Sequence, residues 1–411
     1  MSFRMLLPNE VVFALETLEK SGHTAYCVGG CVRDALMGKA PKDYDITTSA
    51  KPDEMSKAFA GERIVETGLK HGTLTLVKNG MNIEITTYRI DGNYTDSRHP
   101  DSVTFTDRLS DDLCRRDFTV NAMAYSPSRG LVDLFGGVED IREKRIKCVG
   151  NAFERFTEDA LRILRALRFS SVLGFTLDKE CSDAAEKMSR NLSAISRERI
   201  HSEISKLVCG KSAAAVVNDH AAILSSVLGI GSDEIICGAK AIKNDETMFG
   251  NENAGVEFRM AALLGCLDAD KAREVISSLK TSRAEKDGIL RFFRYRGTSE
   301  YSDYSLLKLM SMTDDGFPLQ LFRYEVISGR MSSDSCEELK KRISALMSEG
   351  ICHRLNDLEI NGTDLCSVGF EGKDIGDTLE ILLDRVMKKE TENDRDILLK
   401  EAIGIKSSKT Y

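Results

Sequence analysis

Hydrophobic positions along the chain change their spacing at about residue 140. Before this point, short apolar segments bounded by glycine and aspartate predict β-strands. These segments are Thr24–Val28, Tyr44–Thr48, Thr73–Val77, Asn82–Tyr88 and Leu131–Phe135. Asn79-Gly80 joins the third segment to the fourth, and this pair favours a tight hairpin turn. Beyond residue 140, apolar residues recur at i, i+3 and i+4, so the remainder is expected to be helical.

Several helix boundaries can be inferred from the residues that flank them. Asn9–Lys20 stops before Gly22, and Val32–Met37 begins two residues after the Gly29-Gly30 pair. Two longer helices are predicted at Asn151–Phe169 and Ser196–Val208. The first of these is expected to be one continuous helix.

Length and composition exclude several classes of protein. A chain of 411 residues is expected to form two or three domains. Its 57 basic and 65 acidic residues give a net charge of −8, which excludes a uniformly basic nucleic-acid binder but permits local basic patches. No apolar run approaches the ~20 residues of a membrane span. The eleven scattered cysteines include no C-x-x-C pair, so mostly buried, reduced thiols in a cytoplasmic protein are expected.

The first candidate site combines a Gly-Gly pair with two aspartates. Gly29-Gly30 follows a predicted strand, so the backbone can approach a ligand closely, and Arg33 offers a cation for phosphate. Asp43 and Asp45 share one face of the next strand, where two carboxylates repel each other unless a cation lies between them. A solvated strand edge is the alternative interpretation. The neighbouring glycines and Arg33 favour a divalent metal site, with Mg²⁺ as the expected ion.

Glu84 lies between two apolar neighbours in Ile83-Glu84-Ile85. It is either a third carboxylate of this site, on an adjacent strand, or only the exposed half of an alternating pattern. The sequence leaves both interpretations open.

The second candidate site is Arg115-Arg116-Asp117, which lies in an otherwise apolar stretch. Burying these charges without partners is costly. One interpretation is an internal ion pair between Arg116 and Asp117. The other is that arginine holds phosphate oxygens while Asp117 accepts a hydrogen bond from a ribose hydroxyl.

The third candidate site is the segment that begins at Glu158-Asp159. On a single helix, Arg162, Arg165 and Arg168 would form a ladder rising ~4.5 Å per step beside an apolar face. A solvated face with a Glu158–Arg162 pair is the simpler interpretation. Because all three basic residues are arginine, recognition of a planar ligand is favoured instead.

In chain order, these segments resemble the motifs of bacterial-type tRNA nucleotidyltransferases and poly(A) polymerases, and most closely those of the CCA-adding members. The matching segments are GGCVRDALMGKAPKDYDI (29–46), RRDFTVNAMAY (115–125), DLFGG (133–137), EDALRILRALRF (158–169), ISRERIHSEISKL (195–207) and LEINGTDL (358–365). The CCA-adding members of this family build the 3′ end of tRNA from CTP and ATP without a nucleic-acid template. The match is dense in the first half of the chain, and residues 215–350 match only as helical.

The resemblance implies an α+β fold, with a small mixed-sheet nucleotidyltransferase head that carries helices, followed by an all-α neck, body and tail in a seahorse shape. The implied boundaries are 1–138 for the head, 139–212 for a neck that recognises the nucleobase, 213–350 for the body and 351–411 for a tRNA-binding tail. The implied partners are tRNA, CTP and ATP, and the implied cofactor is Mg²⁺.

The resemblance also assigns roles to individual residues. Asp43 and Asp45 would hold the metal and carry catalysis. The nucleotide-binding residues would be Gly30, Arg33, Arg115, Arg116, Asp117, Asp159, Arg162, Arg165 and Arg168. Of the two adjacent arginines, Arg116 is favoured as the nucleotide contact. Asp159 and Arg162 would read the pairing edge of the base, and a stripe of basic residues that includes Arg199 would contact tRNA phosphates.

Three alternatives to full CCA addition stay open. Asp91–Pro100 resembles the flexible loop of the full CCA-adding enzymes, although an A-adding enzyme fits as well; His99 is interpreted as an ordinary loop histidine. A poly(A) polymerase is disfavoured because 351–411 holds 9 basic and 13 acidic residues. A non-catalytic RNA-binding protein would have no use for the pair Asp43 and Asp45.

Overall fold

The computed structural model describes residues 3–68, 72–92, 103–250, 254–298 and 301–409. Its strands are β1 Ala25–Val28, β2 Asp45–Thr48, β3 Arg63–Gly68, β4 Thr73–Lys78, β5 Met81–Thr87, β6 Arg89–Asp91, β7 Val103–Phe105, β8 Met123–Ser126, β9 Gly130–Asp133, β10 Arg145–Ile146 and β11 Thr176–Leu177. Its first helices are α1 Asn9–Lys20, α2 Gly30–Leu36, α3 Pro52–Ala58, α4 Leu109–Cys114, α5 Gly137–Arg142, α6 Ala152–Glu158, α7 Leu161–Leu173, α8 Lys179–Met188 and α9 Arg197–Val208.

The remaining helices are α10 Ala213–Asp219, α11 Ala221–Leu228, α12 Ser232–Phe249, α13 Val256–Leu263, α14 Ala269–Ser278, α15 Arg283–Tyr295, α16 Asp303–Met312, α17 Phe317–Ile327, α18 Ser333–Ser348, α19 Gly362–Ser367, α20 Lys373–Met387 and α21 Arg395–Lys409. Short 3-10 helices lie at Thr119–Asn121, Ser189–Ala194 and Leu355–Asp357. The predicted α+β class, with a sheet in the first part of the chain and helices after it, is confirmed.

Seven strands form one mixed sheet in the order β3-β4-β5-β2-β1-β8-β9. β2 and β5 are parallel, whereas the other neighbouring strands are antiparallel. The apolar side of α1 is buried in one core with Ile46 and Ile85. The predicted hairpin is confirmed, since Asn79 and Gly80 both have positive φ (49° and 81°), as a two-residue hairpin turn requires. This strand order places the end of β1, the start of β2 and the middle of β5 side by side.

The predicted helix over Asn151–Phe169 is wrong in one respect: it is broken into α6 and α7. Asp159 at the break has extended backbone angles (φ −141°, ψ 103°). Its Oδ1 accepts a hydrogen bond from the Leu161 N–H at 3.0 Å. An aspartate side chain that accepts a hydrogen bond from a backbone N–H two residues later in the chain can end one helix and begin the next. Asp159 therefore does not share a continuous helix face with the arginines that follow.

The described residues fall into two compact units. The first comprises those within 1–243, 253–266 and 270–283, and the second those within 244–252, 267–269 and 284–411. The seven-stranded sheet and α1–α11 lie in the first unit. The second unit has its own core, in which Leu306, Phe322, Ile343, Leu382 and Leu398 are buried together.

Cysteines serve mainly as small core residues, as expected. Six free cysteines are buried among the described residues: Cys27, Cys31, Cys148, Cys181, Cys336 and Cys352. Cys237 and Cys266 are joined by a disulfide across 29 residues of sequence. No spacing motif marks this pair, because the packing of α12 beside the end of α13 brings it together.

No single helix among the described residues has the length and apolar character of a membrane span. Only taken together do α11 and α12 reach that length and composition, and they are bent by 113° where they meet.

Gly137, in the DLFGG segment, provides a test of this packing. A Cβ placed on it would lie 2.4 Å from the Thr119 carbonyl oxygen and 2.9 Å from the Met123 side chain. We expect Gly137→Ala to lower the free energy of unfolding of the first unit by about 1–3 kcal/mol, as overpacking usually does. Denaturant unfolding followed by circular dichroism measures the change. Gly255→Ser is the control, because nothing lies within 4 Å of a Cβ there and serine suits a helix N-cap. Equal stability of the two variants would contradict the packing.

Candidate functional site

Three carboxylates lie near the centre of the sheet. Asp45 begins β2, Asp43 precedes it by two residues, and Glu84 on β5 is the direct register partner of Asp45. None of the three makes a hydrogen bond or ion pair through its side chain with another described residue. The pKa of Asp45 is raised, first by burial and then by the negative charges of Glu84 and Asp43, against the opposing effect of Arg116. The arrangement concentrates uncompensated negative charge where a cation would relieve it.

The donors in this cluster are all oxygen, which suits Mg²⁺. Within the described ranges, however, no group of three or more His, Cys, Asp or Glu converges closely enough to hold a metal ion. Protein sites for Mg²⁺ commonly use one or two carboxylates together with phosphate oxygens of the substrate. The aspartate pair fits that type of site. Glu84 is exposed on its strand, as an alternating pattern predicts, and is the register partner of Asp45, while its place in a metal site stays a prediction.

The Gly-Gly turn joins β1 to α2 beside these carboxylates. Gly29 has φ 78°, a backbone conformation that glycine tolerates and other residues rarely adopt. Gly30 is the first residue of α2, and Arg33, on the same helix, is only 9% exposed. Its Nη1 donates to the Asn121 Oδ1 at 2.6 Å, while Nε and Nη2 donate to the Asp34 Oδ1. The guanidinium is therefore held in a fixed position, as expected for a preset phosphate cation.

Arg115 and Arg116 point to different surroundings. Arg115 pairs with Asp112 at 2.7 Å and with Asp91 at 3.5 Å. Arg116 lies over the Gly-Gly turn, since a Cβ placed on Gly29 would be 3.2 Å from its Nη1. Its charge also acts on Asp45. The geometry thus favours Arg116 over Arg115 as the arginine that faces a ligand. The alternative interpretation, an ion pair between Arg116 and Asp117, does not hold, because each pairs elsewhere.

Asp117 is a buried hub rather than an open acceptor. Its Oδ2 accepts hydrogen bonds from Arg165 Nε at 2.9 Å and Nη2 at 2.6 Å. Its Oδ1 accepts from the Phe118 N–H and from the Asn121 Nδ2. These four bonds use the acceptor sites that a carboxylate has. A ribose hydroxyl would have to displace one of these partners.

Asp159 and Arg162 both have protein partners. The Asp159 Oδ2 accepts from the Arg199 Nη2 at 2.8 Å. Arg162 is 8% exposed and pairs with Glu158 at 2.5 Å, so the predicted Glu158–Arg162 ion pair forms in spite of the helix break. The interpretation of a solvated charged face is wrong for Arg162. Arg199 is paired with Asp159 and so lies beside the start of α7 rather than on an open basic surface.

Arg165 and Arg168, lower on α7, converge on one buried carboxylate from α9. Arg168 pairs with Glu203 at 2.7 Å, and the Arg165 Nη1 lies 4.0 Å from the other Glu203 oxygen. The Arg168 guanidinium also lies 4.0 Å from the centre of the Phe169 ring. A continuous polar chain thus runs from Arg33 through Asn121 and Asp117 to the arginines of α7.

Three residues of this network were missed from the sequence, namely Asp112, Asn121 and Glu203, and Arg199 is predicted there only as a contact for tRNA phosphates and not as the partner of Asp159. Asp112 and Asn121 carry a usable signal, because polar residues in the apolar stretch around Arg115-Arg116 are costly to bury unless they pair. Arg199 and Glu203 carry none, since only the packing of α9 against α7 gives them partners. His99 and most of the loop Asp91–Pro100 lie outside the described residues, which resume with β7 paired to β6.

Three protein-family profiles match successive parts of the chain. "Poly A polymerase head domain" matches residues 25–147, "Probable RNA and SrmB- binding site of polymerase A" matches 174–219, and "tRNA nucleotidyltransferase domain 2 putative" matches 256–402. The first covers the sheet and its carboxylates.

Relatives of known function match the chain over nearly its full length. The CCA-adding enzyme of Oceanobacillus iheyensis is 33% identical over 395 residues, which cover 93% of this chain and 94% of that enzyme. The CCA-adding enzyme of Lactiplantibacillus plantarum is 31% identical over 417 aligned positions, covering 97% and 96%. The crystal structure of the Bacillus stearothermophilus CCA-adding enzyme in complex with CTP superposes with a TM-score of 0.78 at 28% identity, over 98% of this chain and 99% of that one.

The hub at Asp117 predicts a specific dependence of stability on pH. Although burial alone would raise its pKa, Arg165 and the hydrogen bonds lower it to about 2. Because the folded-state pKa lies below the unfolded value of ~3.9, the carboxylate stabilises the fold above that value and ceases to do so as pH falls towards 2. We expect Asp117→Asn to lower the free energy of unfolding by about 2 kcal/mol at pH 7.

The difference between wild type and this variant should shrink as the pH falls from about 4 towards about 2. Denaturant titrations of both proteins at a series of pH values measure it. A difference that stays constant through this range would contradict the assignment of the charge pair.

Proposed function

We propose that Asp43 and Asp45 hold the Mg²⁺ that this protein uses in catalysis. The chain belongs to the family of CCA-adding enzymes. The protein is a nucleotidyltransferase that adds CCA to the 3′ end of tRNA, with CTP and ATP as substrates. The observation that supports the residue assignment is the juxtaposition of an unpaired aspartate pair with Arg116 above the Gly-Gly turn. Mg²⁺ would neutralise the charge that develops when the α-phosphate is attacked and pyrophosphate leaves.

The triphosphate of the incoming nucleotide binds on the side of the Asp43 and Asp45 pair where the arginines lie. Gly30 allows the backbone to approach the phosphates, and Arg33 and Arg116 supply positive charge. Both arginines are held by carboxylates or amides, so little rearrangement is needed when the substrate binds. Arg115 contributes indirectly, because its guanidinium is occupied by Asp112 and Asp91. Catalysis on this arrangement is positioning and electrostatic stabilisation, and it requires no nucleophilic side chain.

The base is chosen by Asp159 and Arg162. An aspartate offers acceptors and an arginine offers donors, so together they can pair with the edge of cytosine or adenine as another base would. Each Asp159 oxygen accepts one hydrogen bond, from Leu161 or from Arg199, and can accept a second. Arg162 is oriented by Glu158 and by the Arg115 carbonyl. Arg165 and Arg168, further along α7, support this pair. Asp117 holds Arg165, and Glu203 holds Arg168.

The four-part division inferred from the sequence completes the proposal. Residues 1–138 carry the reaction, 139–212 select the base, and 213–350 and 351–411 form the body and the tail that engage tRNA. Because tRNA is the acceptor, the protein is proposed to act in the cytoplasm. Sequencing the products formed on tRNA that ends before CCA, after C and after CC tests the activity, since an A-adding enzyme would extend only the last of the three.

The metal assignment predicts the effect of removing one carboxylate. Asp43→Ala should lower the rate of CMP and AMP incorporation by at least about a hundredfold, because one of two ligands for the cation is lost. Affinity for tRNA should be nearly unchanged. Incorporation of labelled CTP with increasing Mg²⁺, and tRNA binding by filter retention, measure the two effects. Glu54→Ala, on the exposed first turn of α3, is the control. Full activity of Asp43→Ala would refute the assignment.

Base selection provides a separate test. Arg162→Ala should reduce discrimination between CTP and UTP by about tenfold or more, since the protein donor that distinguishes the base edges is lost. Arg155→Ala is the matched control, because Arg155 pairs with the same Glu158 at 2.5 Å and has no proposed role at the base. The ratio of kcat/KM for the two nucleotides is the measurement. An unchanged ratio in Arg162→Ala would rule out this protein template.

A further inference from the structure

We propose that Asp112 is a positioning residue that directs Arg116 at the triphosphate of the incoming nucleotide and assigns Arg115 to a structural role. This inference rests on the function proposed above for Arg116 and adds to it a residue that lies outside the nucleotide pocket. It starts from the burial of one carboxylate.

Asp112 lies on α4 and is 0% exposed. Removing a carboxylate from water is costly unless it is paired and hydrogen-bonded. Its two oxygens accept four hydrogen bonds, from Arg115, Arg116 and Thr47. Burial on its own would raise the pKa of Asp112, but the charges of Arg116 and Arg115 outweigh it and lower the pKa. The group is therefore an anion at neutral pH, enclosed by its partners.

The two oxygens divide the adjacent arginines between them. Oδ1 accepts both hydrogen bonds from Arg115, from Nε at 3.0 Å and from Nη2 at 2.7 Å. Oδ2 accepts a single bond from the Arg116 Nη2 at 3.2 Å. Two arginines that follow each other in sequence are thus turned apart by one carboxylate. Arg115 directs its donors to Asp112 and Asp91, whereas Arg116 directs one donor to Asp112.

Arg116 keeps its remaining donors for the pocket. Its Nε is buried and, among the described residues, has no hydrogen-bond partner. Its Nη1 lies beside Gly29, and its charge acts on Asp45. A guanidinium with available donors beside a glycine turn and a carboxylate pair is suited to phosphate oxygens. Asp112 therefore contacts only the Nη2 atom of the Arg116 guanidinium.

Thr47 connects Asp112 to the strand of the metal ligands. The Thr47 Oγ1 donates to Asp112 Oδ2 at 3.1 Å, which is the same oxygen that holds Arg116. Thr47 lies on β2, two residues after Asp45, and alternate residues of a strand share a face. The distance between the triphosphate cation and the metal carboxylates is therefore set through Asp112.

A double-mutant cycle tests this role. Asp112→Asn keeps the shape but loses the negative charge, and we expect kcat/KM for CTP to fall about tenfold or more on tRNA that ends before CCA. In an Arg116→Ala background the same change should cost less than about twofold, because the residue through which Asp112 acts is gone. In an Arg115→Ala background it should keep its full effect. Affinity for tRNA should not change in any of these proteins.

The controls separate positioning from loss of structure. Asp111→Asn alters the preceding aspartate, which bonds Thr106 and Ser110, and should change kcat/KM less than about twofold. Circular dichroism melts identify folded variants. Should Asp112→Asn fail to fold, Thr47→Val removes the other hydrogen bond to Oδ2 without removing a charge. It is expected to lower kcat/KM about threefold, and only when Arg116 is present.

The outcomes distinguish this inference from the function it rests on. The inference is refuted if Asp112→Asn, or Thr47→Val in its place, lowers kcat/KM by the same factor in the Arg116→Ala background as in the wild type. Asp112 would then not act through Arg116. If Arg116→Ala has wild-type activity, both the inference and the role of Arg116 fail, while CCA addition by the wild type still stands. Failure of the wild type to add C and A would refute the proposed function itself.

Discussion

The site depends on the pairing of buried charges between the sheet and the helices that follow it. Asp117, just after α4, receives the fork of Arg165 from α7, and its carboxylate could not be buried without such a partner. Asn121 extends the connection to Arg33, and Glu203 extends it to Arg168. Because hydrogen bonds join Arg33, Asn121, Asp117 and Arg165 in turn, the orientation of α7 relative to the Gly-Gly turn is determined by bonds with definite directions and not by apolar contact alone.

Some aspartates of the site are paired with arginine, and others are not. Asp112, Asp117 and Asp159 are each held by arginine. Asp43 and Asp45 have no such partner among the described residues, and the pKa of Asp45 is raised by burial and by its acidic neighbours. Asp43 and Asp45 thus carry negative charge that the described residues do not neutralise, as the proposed metal site requires. The two adjacent arginines differ in a similar way. Arg115 directs its donors to Asp112 and Asp91, whereas the buried Nε of Arg116 has no hydrogen-bond partner among the described residues.

Asp159 shows how a single side chain changes both backbone and chemistry. By accepting the Leu161 N–H it interrupts the expected helix and starts α7 at a new position. Its other oxygen is held by Arg199 from α9, so the carboxylate is fixed at the break instead of projecting from a regular helix face. Glu158 and Arg162 still pair across the break. A helical-wheel projection places Arg162, Arg165 and Arg168 correctly but cannot place a residue whose backbone is extended.

The sequence by itself determined the α+β order, the hairpin at Asn79-Gly80 and the family, because strand alternation, turn glycines and ordered motifs are local properties of the chain. It also identified the aspartate pair and the two arginines of the second motif as candidates, although their roles stay predictions. Only the tertiary structure decided which arginine faces Gly29, that Asp112 and Glu203 hold the others, and that Cys237 meets Cys266. These pairings join residues on separate elements, and the partner of a buried charge depends on how those elements pack, which the spacing of residues along the chain does not encode.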